Sequence, residues 1–153
     1  MRILTALLLT SLSAAALHAQ SPAPAVPLKT FASSADVRAL TAKAKSEHKE
    51  GQAIVTEPIL QFAPYVATLE YRVSVGAAGV HPDQAEMMYV IEGSATLITG
   101  GKLTGKTIEG GNSRSVSKGD FLVVPEGTPH WFSQINGTLV LMYLHVPRPV
   151  PGH

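Results

Sequence analysis

Gly119-Asp120-Phe121-Leu122-Val123-Val124-Pro125-Glu126-Gly127-Thr128-Pro129-His130 reads as an apolar strand that runs into a loop and delivers a histidine at its far end. Proline fixes φ, so Pro125 and Pro129 pre-set the backbone around His130, as a geometrically demanding ligand requires. A second stretch, His81-Pro82-Asp83-Gln84-Ala85-Glu86, sets a glutamate five positions after a histidine. The strand-like run Met87-Met88-Tyr89-Val90-Ile91 follows, and Glu92-Gly93 reads as a turn. Imidazole nitrogen and carboxylate oxygen are ligands that a borderline divalent metal prefers. Short strands joined by tight turns can hold such groups on neighbouring rungs of one sheet.

Outward from these stretches the chain is rich in β-branched and aromatic residues over 53–56, 59–62, 65–75, 87–91, 95–99, 115–116, 121–124, 131–135 and 138–146. The clearest alternation begins at Tyr65. Val66, Thr68, Glu70 and Arg72 form one face and Tyr65, Ala67, Leu69, Tyr71 and Val73 the other, the pattern of a half-buried antiparallel strand. Gly100-Gly101 and Gly110-Gly111-Asn112 read as turns, with the polar segment 102–109 an exposed excursion between them. Asn136-Gly137 reads as a two-residue hairpin turn pairing 131–135 with 138–144. Many short strands at this spacing imply a sandwich or barrel. Ahead of them, Ser33 and Asp36 form an N-terminal capping signature, Val37, Leu40 and Ala44 share a face, and Gly51 supplies a stop. The expected organisation is a signal peptide over 1–19, a proline-rich linker over 20–32, a helix over 33–51, a β domain over 52–147 and a tail over 148–153.

Gly119, Pro125, Gly127 and His130 reproduce the spacing of the second sequence motif of the cupin superfamily, with Gln134 in place of a closing asparagine. His81, Glu86 and Gly93 match the second histidine, the glutamate and the closing glycine of the first motif, and Gly79 stands where its first histidine belongs. Over 56–147 the chain therefore resembles a cupin. The resemblance implies an all-β fold, a cupin-type antiparallel β-barrel (jelly-roll), with a short N-terminal helix outside it. It also implies one bound metal and, more loosely, a homodimer.

His130 is read as a ligand within its motif, against the alternative of a loop histidine bonded to backbone. His81 is read as a ligand on its spacing to Glu86, against a histidine at a strand end on the surface. Glu86 could bind metal, act as a general base, or be a solvated charge; a carboxylate ahead of an apolar run is costly to bury without a cation nearby. Gln84, two residues before Glu86, is a substitute ligand or a hydrogen-bonding support. Tyr89, Trp131, Phe132, Met87 and Met88 read as core, and His145 as a core or supporting histidine.

Residues 1–19 combine Arg2, an apolar run over 3–9 and the small residue Ala19, so a periplasmic or secreted protein is expected. No cysteine occurs among the 153 residues, which excludes disulfide staples. Without Arg2 the basic and acidic residues balance at eleven each, so neither nucleic acid nor an anionic membrane is expected as partner. No nucleophile elbow, phosphate loop or dinucleotide fingerprint is present. A set of two histidines and one carboxylate suits iron, with manganese, zinc or copper also compatible. The resemblance implies dioxygenases, isomerases, lyases, decarboxylases and sugar-binding modules. Export adds weight to copper or manganese. The expected function is a metal-dependent oxidative enzyme acting on a small molecule or saccharide, with copper-dependent polysaccharide oxidation as one form. The alternatives are a non-catalytic ligand-binding or sugar-binding protein and an isomerase or lyase with a redox-inert metal.

Overall fold

The structure, a computed structural model, describes residues 27–148, so the expected signal, most of the linker and the tail beyond 148 lie outside it. One helix, α1 (Ser34–Glu47), precedes eight strands: β1 (Ile54–Phe62), β2 (Tyr65–Arg72), β3 (Gln84–Thr99), β4 (Lys102–Thr104), β5 (Thr107–Glu109), β6 (Asn112–Ser117), β7 (Phe121–Val124) and β8 (His130–Pro147). Antiparallel pairing runs in the order β1-β2-β8-β3-β6, with β7 also on β3. The architecture is all-β and antiparallel, as expected. Among the described residues β1 and β6 end the path without pairing to each other, so the curled sheet is not a closed barrel.

Two expected turns are instead bends inside long strands. Glu92-Gly93 does not end a strand, and Asn136-Gly137 does not make a hairpin; both lie within β3 and β8, which pair along nearly their whole lengths. The register shifts between Gly93 and Ala95 while β8 advances from Leu139 to Ile135, so the two irregularities face each other. Gly93 and Gly137 both have positive φ, and a Cβ on Gly93 would come 2.0 Å from the Thr138 carbonyl oxygen. A glycine in the left-handed region serves a bulge as well as a turn, so a local signal cannot separate the two. The paired bulges bend both strands together.

Segment 102–109 folds as the small β4–β5 hairpin, and the Ala78 amide donates to the Lys106 carbonyl at 2.9 Å. Helix α1 begins with a capping box: the Ser33 hydroxyl accepts from the Asp36 amide, and the Asp36 carboxylate accepts from the Ser33 amide at 2.7 Å. It ends at Glu47, where His48 turns extended and its ring bonds the Gln52 carbonyl oxygen, rather than running on to Gly51.

Side-chain alternation divides the sheet between two cores. Leu139, Leu141, Met88, Val90 and Phe132 fill the interior, while Val140, Leu69, Ala67, Val55 and Ile59 pack with Ala44 beneath α1. Strand β2 is therefore covered on both sides. Its apolar face lies under the helix, and its polar face, Glu70 and Arg72, points into the interior beside Leu141 and Leu139.

Candidate metal centre

Glu86 sits on the interior face of β3, opposite His145 of β8 on one side and Val124 of β7 on the other. His130 opens β8 at the end of the proline loop. A single bridge joins it to Gly79, with the Gly79 amide donating to His130 at 3.0 Å and the His130 amide donating back at 2.9 Å. The Gly127 amide donates to the His81 carbonyl at 2.8 Å. The two motif loops are thus stitched to each other by backbone, which brings His81 and His130 to the same end of the interior as Glu86.

Three imidazoles converge on one carboxylate. Glu86 Oε2 lies 2.9 Å from His130 Nε2 and 3.5 Å from His81 Nε2, and Oε1 lies 3.9 Å from His145 Nε2. The donor atoms of His81, Glu86 and His145 all fall within 4.8 Å of one another. The rings of His81 and His145 are 4.3 Å apart between centroids, those of His81 and His130 5.2 Å. Glu86 is 7% exposed, yet Oε2 and His145 Nε2 have no aligned hydrogen-bond partner. The short approach of His130 to Oε2 is close without being directional. A carbonyl oxygen can only accept, so the 3.2 Å contact with Thr128 places the His130 proton on Nδ1 and turns Nε2 towards Glu86. The Glu86 carboxylate lies between the His130 ring and the tighter group that it forms with His81 and His145, so His130 adjoins that group from the other side of the carboxylate. Only a proton or a cation relieves that arrangement, and the imidazoles with the carboxylate are donor types a borderline divalent ion accepts.

The electrostatics agree. Burial alone would push the Glu86 carboxyl up, but His130, His145 and His81 together hold it below its ordinary value. Burial pulls His130 down, but Glu86 and the Thr128 carbonyl outweigh it and hold the ring above its ordinary value. His145 goes the other way. Burial, helped by the neighbouring His81 and His130, lowers it against the pull of Glu86, which favours the neutral ring with a free lone pair.

The structure brings together His81, Glu86 and His130 and leaves Gln84 out. Gln84 pairs with Pro147 at the outer end of β3 and does not line the cavity at the cluster. His145 joins the cluster instead of serving only as core. Its signal was its place across from Glu86, which depends on a register that the sequence does not state. Tyr89 is not core: it lies on the outer face, 40% exposed. Trp131, Phe132, Tyr143, Glu70 and Arg72 line the same cavity, of about 200 Å³. At Gly79 an added Cβ would meet nothing within 4 Å, so the place of the family's first histidine is open space.

Fold and cluster together define a small all-β protein with a candidate metal centre. The family model of the cupin domain matches residues 66–147, more than half of the chain, and the chain belongs to the cupin superfamily. No curated protein matches it in sequence. Among solved structures it is similar to a candidate mannose-6-phosphate isomerase of Ralstonia eutropha JMP134, with 19% identity over 67% of this chain and 93% of that one and a TM-score of 0.52. KdgF from a Halomonas species is similar at 19% identity, covering 67% of this chain and 87% of that one, with a TM-score of 0.52. Hydroxypropylphosphonic acid epoxidase from S. wedmorenis is similar at 19% identity and a TM-score of 0.54, over 64% of this chain. The chain spans 53% of the epoxidase's length. At such identities the likeness carries the fold and not the chemistry.

Proposed function

We propose that the protein is an exported, metal-dependent cupin enzyme that oxidises a small molecule, with one divalent transition metal held by His81, Glu86, His130 and His145. The observation that carries this reading is the buried Glu86 carboxylate, faced by three imidazoles and lacking an aligned donor. Export is supported by the pattern of residues 1–19. It favours copper or manganese over ferrous iron. When bound, such an ion supplies Lewis-acid or one-electron chemistry at coordination positions the protein leaves open.

The chain's own residues do the rest. His130, fixed by Thr128, and His145, kept neutral by burial, offer lone pairs in set directions. Glu86 supplies the negative charge and can accept a substrate proton as general base. Trp131 and Phe132 shield one side from water. The cavity's volume lies below the range of about 300–1,000 Å³ that houses drug-sized ligands, which favours a small molecule over a saccharide chain. A strip of exposed Tyr89, Phe121 and Val123 across β3 and β7 supports a homodimer.

Elemental analysis of the mature protein, purified without a histidine tag, tests the proposal. One redox-active metal per chain is expected, lost in His130→Ala with folding intact, together with oxygen uptake on a turned-over substrate. A redox-inert metal with no oxygen uptake indicates an isomerase or lyase. A folded protein with no metal leaves a non-catalytic binding protein.

A further inference from the structure

The cavity holds a second pair of charges that the metal reading does not use. Arg72 and Glu70 enter it from the interior face of β2, with side chains only 15% and 12% exposed. Their contact is single: Arg72 Nε donates to Glu70 Oε2 at 2.6 Å. Among the described residues this is the hydrogen bond the guanidinium makes; Nη1 lies towards Gly76, 3.6 Å from where a Cβ there would stand, and the terminal amino groups have no hydrogen-bond acceptor. The guanidinium carbon lies over the Phe132 ring, 5.0 Å from its centroid, a contact that uses no donor. A guanidinium is charged at every working pH, and its free fork matches a carboxylate bidentately.

We propose that Arg72, positioned by Glu70 and Phe132, is the anion-binding residue of the cavity and that the substrate is a small organic acid bearing one carboxylate. Two carboxylates and one guanidinium surround a site that the function proposed above fills with a divalent ion. One positive charge is then in excess, and a singly charged anion cancels it. The proposal rests on that reading for this balance; the Arg72 fork does not depend on it. The volume, about 200 Å³, lies below the range of about 300–1,000 Å³ that houses drug-sized ligands, a scale that suits a short acid. Trp131, Phe132 and Tyr143 supply the apolar wall for its carbon body.

Trp131 is the chain's single tryptophan, lines this cavity and is anchored by donation from Nε1 to the Gly76 carbonyl at 2.8 Å. Its fluorescence therefore reports occupancy without any need for turnover. The experiment titrates lactate, pyruvate and the uncharged lactamide into wild type, Arg72→Gln, Arg72→Lys and Glu70→Gln, with metal content measured on the same samples. A saturable change with at least one acid and none with lactamide is expected. Arg72→Gln weakens binding about tenfold or more, the scale of one charge-assisted hydrogen bond, with metal content unchanged. Arg72→Lys keeps part of the affinity, and Glu70→Gln binds the acid at least as tightly as wild type. Equal binding of lactamide and lactate, no response to any acid, or an Arg72→Gln protein that binds like wild type overturns the proposal. The comparison of acid with amide in wild type needs no variant to fold. Metal-free wild type with Arg72-dependent acid binding sinks the metal reading and leaves the anion site standing. Full metal content with Arg72-independent binding does the reverse.

Discussion

Among the described residues Glu57 and Glu86 are the buried glutamates, and they are treated in opposite ways. Glu57, 5% exposed, lies on the helix-facing side of β1 between Val55 and Ile59 and meets Lys43 of α1 at 2.8 Å. Glu86, 7% exposed, lies on the interior side of β3 and meets only imidazoles. The first carboxylate is matched by a group that is always cationic under ordinary conditions. The second is surrounded by groups that are cationic only when protonated, and one of its oxygens has no aligned donor. A buried charge with a permanent partner is part of the scaffold; one left for a conditional partner marks a site. Helix α1 thus closes one face of the sheet, and the other face stays chemically open.

The contrast can be broken most directly by neutralising each carboxylate in turn. Glu86→Gln is expected to abolish metal retention, with at least about a hundredfold loss of affinity, since even supporting partners cost 10–100-fold. Above the His130 pKa its metal-free melting temperature should stay level or rise. Glu57→Gln should lower the melting temperature and leave metal content alone. Thermal melts with and without metal check both. A Glu86 variant that unfolds more readily than the Glu57 one makes Glu86 structural and ends the distinction.

A truncation next sharpens the assignment of faces. Leu69 is fully buried beneath α1, so Leu69→Ala should cost about 2–5 kcal/mol in denaturant unfolding while the folded protein keeps its metal. Loss of metal at equal folding would mean that the helix-covered face supports the site.

A smaller effect is expected at His145. His145→Ala should weaken metal binding by about tenfold or more in a competition titration, the floor set by residues that merely support a ligand. Adding Gly79→His to that variant should restore much of it, because a side chain at 79 meets no obstruction. Unchanged affinity in the single variant removes His145 from the ligand set.

The smallest effect is on pH dependence. His130 is raised in the folded protein, so its pairing with Glu86 stabilises metal-free protein in full below the ordinary histidine value of 6.5 and fades as pH rises through the folded value. Glu86 is lowered, so the same contribution is present above 4.5 and lost as pH falls through its folded value. The destabilisation caused by His130→Gln, read from metal-free melts, should therefore be largest between those two values and shrink above 6.5. A penalty that grows with rising pH would contradict the pairing.

Much of this is legible in the sequence. The spacing of Gly119, Pro125, Gly127 and His130 is local, because a four-residue strand and a proline-bounded loop deliver the histidine without reference to the remaining chain. The Ser33–Asp36 cap is equally local. Asn136-Gly137 misled for the same reason: its left-handed glycine is what a hairpin turn and a bulge both need, and only the partner strand, bent at Gly93, makes it a bulge. Gln84 misled through its period of two with Glu86. It shares that residue's side of the strand but lies beyond the cavity.

The sequence by itself determined the class of fold and three of the four side chains that gather at the centre, since strand periodicity and motif spacing act over short distances. Tertiary structure alone decided that His145 sits across from Glu86 and that the polar face of β2 turns inward with Arg72 and Glu70. Alternation says which residues share a face but not which face is inside; that choice is made by what packs against the other side, here Ala44 and the helix that carries it.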